Sequence, residues 1–110
     1  MKIAEKTNYT LLSSVAENFV DFMLTFEKEH INYKEKHLIV EISENFNATK
    51  ENILLFLVYA HEHLKNGTSF VIIAKDVNID DFPETFNIVP TLTEAEDVIE
   101  MENIQRDLGF

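Results

Sequence analysis

The longest apolar run in the chain covers residues 53–60, where eight consecutive side chains are apolar or aromatic. Periodicity alone does not separate a buried strand from a helix in such a run. The ends favour a helix, because Thr49 is a good N-cap, Glu51 suits the positive end of the helix dipole and Gly67 is typical of a C-cap. We therefore predict a helix over residues 49–64, the central helix of the chain.

One face of this central helix should pack on a sheet. At about 100° per residue, that face carries Ile53, Phe56, Leu57, Ala60 and Leu64. Leu55, Val58 and Tyr59 lie on the other face, with Glu51 and Glu62 beside them. A helix that is apolar on both faces is either wholly buried or covered by a partner. In so small a domain we favour a partner.

Two further helices are predicted where a capping box precedes an apolar stripe. The first box begins at Ser14, and its stripe consists of Val15, Phe19, Phe22, Met23 and Phe26. The second box begins at Thr91, and its stripe consists of Leu92, Ala95, Val98 and Ile99. The later residues Met101, Ile104 and Leu108 lie on a different face. We expect the end of the chain to dock separately or on a partner.

The remaining apolar segments predict strands. Five segments have this character: residues 2–6, 9–12, 37–42, 68–74 and 86–89. The first two form a hairpin, and the third and fourth are apolar enough for parallel strands covered by helices. With the central helix between them, the third and fourth predict a right-handed βαβ unit. The loop over residues 75–85 has room for one short helical turn.

Composition and charge exclude several classes of function. A chain of 110 residues with 45% hydrophobic residues has one core and is not disordered. Without cysteine it has no disulfide and no thiolate metal site. A net charge of −11 repels nucleic acid and anionic lipid and suits a basic or neutral protein partner, unless it only maintains solubility. No run reaches the ~20 apolar residues of a membrane span, and residues 1–6 lack a signal-peptide core. We expect a cytoplasmic protein.

The order β-β-α-β-α-β-β-α resembles the STAS family, named for sulphate transporters and anti-sigma-factor antagonists. The hairpin and four segments carry the resemblance: residues 38–42, 53–64, 70–74 and the ending Ile88-Val89-Pro90-Thr91-Leu92-Thr93-Glu94-Ala95. It implies one STAS-like α/β domain over residues 1–110, with a mixed sheet of four or five strands and helices mainly on one face. It also implies a divergent small bacterial regulator that is not an enzyme and needs no cofactor.

Antagonists of that family carry, at the start of the central helix, a hydroxyl that a kinase phosphorylates, and this kinase is also the anti-sigma factor. Here the segment falls on residues 49–53, with Glu51 at the place of the hydroxyl and Asn52 at a glycine position. Glu51 resembles a permanently modified state. Thr49 is a candidate phosphorylation site, and its simpler interpretation is an ordinary N-cap. The expected partner-binding residues are Thr49, Glu51, Asn52, Leu55, Val58 and Tyr59. The partner would be a histidine-kinase-like anti-sigma factor, and a homodimer is the alternative.

The sequence His61-Glu62-His63 raises the alternative of a metal-dependent hydrolase or nuclease of the ribonuclease Z type. That class uses a His-x-His-x-Asp-His cluster, and the Asp and third His are missing here. Residues two apart on a helix diverge by about 200°, so His61 and His63 should not bind one metal. The simpler interpretation is that both face solvent near the end of the helix, where a cation is favoured. His30 and His37 have no ligand spacing to a partner. We expect no metal site and no catalytic residue.

Overall fold

The computed structural model describes residues 1–15, 18–43 and 49–109. The strands are β1 (Lys2–Glu5), β2 (Thr10–Ser13), β3 (Leu38–Glu41), β4 (Phe70–Ile73) and β5 (Asn87–Val89). The helices are α1 (Phe19–Glu29), α2 (Lys50–Leu54), α3 (Leu57–Asn66) and α4 (Leu92–Asp107). Single 3-10 turns lie at His30–Asn32 and Ile79–Asp81. The second of these is the short helical turn predicted for the loop before β5.

The five strands form one mixed sheet in the order in which they follow one another along the chain. β1 pairs with β2 antiparallel, as the predicted hairpin requires, and β2, β3, β4 and β5 pair parallel. Parallel neighbours need a crossover connection, which α1 supplies between β2 and β3 and the α2–α3 segment supplies between β3 and β4. The prediction of an α/β fold with a mixed five-stranded sheet is confirmed.

Alternation along the strands divides the core between the two faces of the sheet. On one face Leu12, Val40, Ile72 and Ile88 stand side by side in register, and α1, α2 and α3 pack over them. On the opposite face α4 places Ala95 and Ile99 against Ile39, Val71 and Ile73. Helices therefore cover one face predominantly, and α4 is the helix that covers the other.

The first helix begins later than its capping box predicts. Asn18 is the N-cap, and its side chain accepts a hydrogen bond of 2.8 Å from the backbone N–H three residues further on. Ser14 Oγ instead accepts a hydrogen bond of 2.7 Å from the backbone N–H of Ser43. The prediction was wrong for Val15 as well, which is exposed rather than part of the buried stripe. Ser14 thus ties the end of β2 to the end of β3, and residues 16 and 17 of its predicted capping box lie outside the described residues.

The central helix is not continuous, which corrects the prediction of one helix over residues 49–64. The backbone N–H groups of Leu55 and Phe56 donate to carbonyls three residues back, as in a 3-10 helix. Each such residue turns the chain by about 120° instead of 100°, so α3 is rotated relative to α2. As a result His63 takes the inner position with 0% exposure, whereas Leu64, predicted to be buried, is 63% exposed. The solvent-facing position predicted for His63 was wrong for the same reason.

Candidate functional site

The start of the α2–α3 segment lies toward the carboxyl edge of the parallel strands. Gly67 ends α3 in the left-handed conformation with φ of 76°, three residues before β4 begins, so the other end of the segment points to the opposite edge. Ligands of open α/β sheets bind most often at that carboxyl edge. Four of the residues predicted to bind a partner are exposed at this edge or on the outer face of α2 and α3, namely Thr49, Glu51, Leu55 and Val58.

Thr49 caps α2. Its Oγ1 accepts a hydrogen bond of 3.1 Å from the backbone N–H of Asn52, and its carbonyl oxygen accepts from the N–H of Ile53 at 3.0 Å. Glu51 lies exposed in the first turn, where a carboxylate is favoured by the helix dipole. The predicted N-cap is confirmed, and both Thr49 and Glu51 are exposed at the start of the helix.

The outer face of the segment keeps two large apolar side chains in solvent. Leu55 is 52% exposed and Val58 is 65% exposed, although Phe56 between them is fully buried. The 3-10 turn at Leu55 and Phe56 places one side chain outward and the next inward. Leu55 and Val58 are therefore exposed on the face of the central helix that was predicted to bind a partner.

Tyr59 is less exposed than Leu55 and Val58. Its ring is half-buried and stands edge-on to Phe26 at 4.9 Å and to His30 at 4.7 Å. Burial raises the pKa of Tyr59, and the carboxylates of Glu27 and Glu62 raise it further. Tyr59 therefore supports the packing of α1 against α3, with only part of its ring available to a partner.

Helix α1 adds exposed apolar side chains that the sequence analysis did not assign to a surface. Val20 and Leu24 on α1, and Ile31 in the 3-10 turn that follows it, are each more than 60% exposed. Since α1 and the α2–α3 segment cover the same face of the sheet, these side chains share the solvent side of that layer with Leu55 and Val58. The spacing of four and seven residues was a signal for a second apolar stripe on α1, although the first stripe masked it.

A cleft of about 450 Å³ opens at the carboxyl edge beside the ends of the parallel strands. Its polar lining comes from Ser14, Glu41, Ser43, Lys75 and Thr91. Ser14 is held by the backbone of Ser43, and Thr91 Oγ1 accepts from the N–H of Glu94 as the N-cap of α4. These hydroxyls stabilise the fold, and no histidine or cysteine lines the cleft as it is formed by the described residues.

The amino edge of the sheet holds a buried pair of histidines that the sequence analysis missed. His30 Nε2 and His63 Nε2 lie 2.8 Å apart, and His63 Nδ1 lies 2.8 Å from Thr68 Oγ1. The rings of Phe26, Tyr59 and Phe70 surround the pair. The sequence did not reveal this pair, because α1 and α3 both end at this edge and bring together residues 33 positions apart.

Burial makes the neutral forms of both histidines more favourable. Burial, together with the neighbouring imidazoles of His30 and His37, lowers the pKa of His63 to about 4, while a backbone hydrogen bond to Lys36 acts in the opposite direction. Burial also lowers the pKa of His30, against the attraction of the Glu62 carboxylate. A hydrogen bond between two ring nitrogens contains one proton, so the pair fits two neutral imidazoles.

The third histidine of this region connects the two helical layers. His37 Nδ1 accepts a hydrogen bond of 3.0 Å from the backbone N–H of Ser69. Ser69 Oγ in turn accepts from Arg106 Nη2 of α4 at 2.9 Å. Burial lowers the pKa of His37, and the positive charge of Arg106 lowers it further. The network positions the end of α4 against the starts of β3 and β4.

The arrangement does not form a metal centre within the part of the chain that the structure describes. His61 is exposed and His63 is buried, so the two side chains point to different sides of α3. In residues 1–15, 18–43 and 49–109, no group of three or more His, Cys, Asp or Glu side chains is placed to hold a metal ion. The histidine pair is satisfied by hydrogen bonds and enclosed by aromatic rings.

The fold defines an α/β domain with a mixed five-stranded sheet. Neither the family models nor the curated proteins that were compared with the sequence match it. Among the helices that the structure describes, none has both the length and the apolar character that crossing a bilayer requires.

Proposed function

We propose that this chain is a regulatory protein-interaction module, similar to the anti-sigma-factor antagonists of the STAS family, rather than an enzyme. It binds a protein partner through the start and outer face of the central helical segment. The observation that carries this proposal is the exposure of Leu55 and Val58 on a segment whose opposite side is fully buried. Burying such side chains in an interface removes apolar surface from water, which favours association.

Charge and element order support a protein as the ligand. Glu51 is exposed in the first turn of α2, and the chain has a net charge of −11, which favours a basic or neutral surface over nucleic acid or anionic lipid. By resemblance the partner is a histidine-kinase-like anti-sigma factor. Glu51 then provides a fixed negative charge where the antagonists carry a phosphorylated hydroxyl, and Thr49 is the residue that a kinase would modify.

The test compares two Asp variants in the organism that makes the protein. Tagged wild type, Leu55→Asp/Val58→Asp and the control Leu64→Asp are expressed at equal levels, and the bound proteins are quantified by mass spectrometry. Leu64 is as exposed as Val58, at 63% against 65%, and points to a different side of α3. We expect a histidine-kinase-like ATPase to bind the wild type and the control and to be lost from the double variant.

Two results would count against the proposal. Equal recovery of the partner by the double variant would show that this face is not the contact. Recovery of the chain alone would favour the homodimer. The competing hydrolase interpretation has a separate test, since sub-micromolar, stoichiometric zinc binding by calorimetry would revive it. We expect no zinc binding of that strength, because the two buried histidines lack a third ligand in the described part of the chain.

A further inference from the structure

The outer side of α4 carries an apolar ridge on the face of the sheet opposite α1, α2 and α3. Met101, Ile104 and Leu108 are each more than half exposed, and they follow one another at intervals of three and four residues. This spacing aligns them on one side of a helix. The inner side of α4 is occupied separately by Ala95 and Ile99, which pack on the sheet. The ridge is therefore not needed for the core of this domain.

The charges around the ridge are almost all negative. Six of the sixteen residues of α4 are acidic, and the only basic one, Arg106, donates to Ser69 and to Asn103 Oδ1 at 2.6 Å. Among the described residues the salt bridge that is formed joins Lys36 to Glu5, away from this helix. The carboxylates of α4 are thus not neutralised by Lys or Arg side chains of the described chain.

A cleft of about 450 Å³ runs between α4 and the start of β2, next to the ridge. Three carboxylates line it, those of Glu96, Glu100 and Asp107, and its lining contains no basic residue. Glu96 is held in place by Tyr9, whose hydroxyl donates to its Oε2 at 2.6 Å. Ile104 lines the cleft and also belongs to the ridge. The acidic cleft and the apolar ridge therefore form one continuous surface, which we call the α4 surface.

We propose that the α4 surface docks a basic amphipathic helix of a protein partner. The apolar side of that helix would cover the ridge, and its Lys or Arg side chains would reach the carboxylates of the cleft. The ridge covers eight residues, and its first and last residues lie roughly 10 Å apart along the helix, which matches two turns of a partner helix. Amphipathic helices are recognised through such i, i+3 and i+7 contacts.

The negative charge of the α4 surface favours a basic partner helix over a second copy of the chain. A symmetric dimer through α4 would bring the same acidic patch to both sides of the interface, and like charges brought together in an interface are unfavourable. Anionic lipid and nucleic acid are disfavoured by the same negative charge. The proposal does not depend on the function proposed for the α2–α3 segment, because the two surfaces lie on opposite faces of the sheet.

The test uses a fluorescent peptide of about 14 residues, or four turns, built only from leucine and lysine in an amphipathic helical order. A peptide of the same composition in scrambled order is the control for charge alone. Anisotropy titrations with the full chain should give an affinity at least about tenfold higher for the ordered peptide, equivalent to about 1.4 kcal/mol. Amide shifts in NMR spectra should be largest for α4 and for residues near Tyr9.

Three variants locate the contact. Ile104→Ser and Glu100→Gln/Asp107→Asn should each weaken binding of the ordered peptide at least about fivefold. Ile79→Ser is the matched control, because Ile79 is exposed in an acidic loop away from α4 and its replacement should leave binding unchanged. Thermal melts verify that all variants fold. Equal affinity for the two peptides, unchanged binding by Ile104→Ser, or a dimer in sedimentation that Ile104→Ser dissociates would each overturn the proposal.

Discussion

The Nε2 atoms of His30 and His63 lie 2.8 Å apart and join the C-terminal ends of α1 and α3 through one hydrogen bond. Because each ring is almost completely excluded from solvent, the pair is most stable when both imidazoles are neutral. One added proton can be accommodated at the far nitrogen of a ring, whereas a second removes the acceptor between the rings and places two like charges in contact. The pair therefore makes this end of the helical layer sensitive to acid.

The first prediction concerns this pH dependence. The unfolded chain binds protons at His63 near its ordinary pKa of 6.5, while the folded protein binds them only near 4. Between these values the unfolded state binds more protons, so the free energy of unfolding should fall by about 3 kcal/mol as the pH decreases. Urea denaturation of the wild type and of His30→Phe/His63→Leu across this window measures the effect.

The comparison with the double variant is needed because carboxylates also titrate at the acidic end of the window. The carboxylates are the same in both proteins. The wild type should therefore lose more unfolding free energy than the double variant as the pH decreases, and the buried pair accounts for the excess. His61→Gln changes an exposed histidine of the same helix and should retain the wild-type profile. A double variant with the same pH slope as the wild type would rule out the pair as the source of acid sensitivity.

The second prediction concerns the hydroxyl of Thr68. Thr68→Val keeps the shape of the side chain but removes the group 2.8 Å from His63 Nδ1, so a buried ring nitrogen loses a partner. We expect a loss of about 1–3 kcal/mol in unfolding free energy. Thr93→Val, at an exposed position of α4, should change it by no more than about 0.5 kcal/mol. Equal stability of the two variants would mean that Thr68 does not hold His63.

The third prediction separates capping by Thr49 from its modification. Thr49→Ala removes the oxygen that accepts from the N–H of Asn52 and should cost about 1 kcal/mol in thermal or urea unfolding. Thr49→Asp keeps an acceptor at the cap and should restore most of that stability. Thr85→Ala, in an exposed turn, is the control. If Thr49→Ala is as stable as the wild type, the hydroxyl has no structural role and modification becomes the better explanation for it.

The fourth prediction distinguishes Tyr59 from Leu55, which the sequence placed in one patch. Tyr59→Asp removes edge-on contacts with Phe26 and His30 and should cost about 2 kcal/mol or more. Leu55→Asp changes a side chain that is 52% exposed and should cost less than about 1 kcal/mol. Chemical denaturation of the two single variants decides between them. Comparable losses for both would indicate that Leu55 also supports the core.

Partner-binding experiments on this domain should therefore change Leu55 and Val58 rather than Tyr59. Loss of binding by Tyr59→Asp has two explanations, a lost contact or a disturbed α1–α3 interface, because its ring contacts His30 of the buried pair. Loss of binding by Leu55→Asp and Val58→Asp has the first explanation alone, provided that the melts of the variants match that of the wild type.

The sequence alone determined those parts of the fold that are encoded over a few neighbouring residues. The apolar runs that contain β3 and β4 need only their own residues to be recognised, and both strands lie where predicted. Thr49 and Thr91 cap α2 and α4 because an N-cap bonds to an N–H only three residues away. The parallel pairing followed from alternation of strands with helices.

Only the tertiary structure decided which side of α3 faces the core. The 3-10 turn at Phe56 rotates α3 relative to α2, so that His63 faces the core and Leu64 faces solvent. A regular helical period predicts the opposite arrangement. His63 is then matched by His30 from another helix, 33 residues away in sequence. Periodicity is a local property of the chain, whereas the partner of a buried polar group is set by how separate elements pack. For that reason the strands and caps could be predicted, and the histidine pair could not.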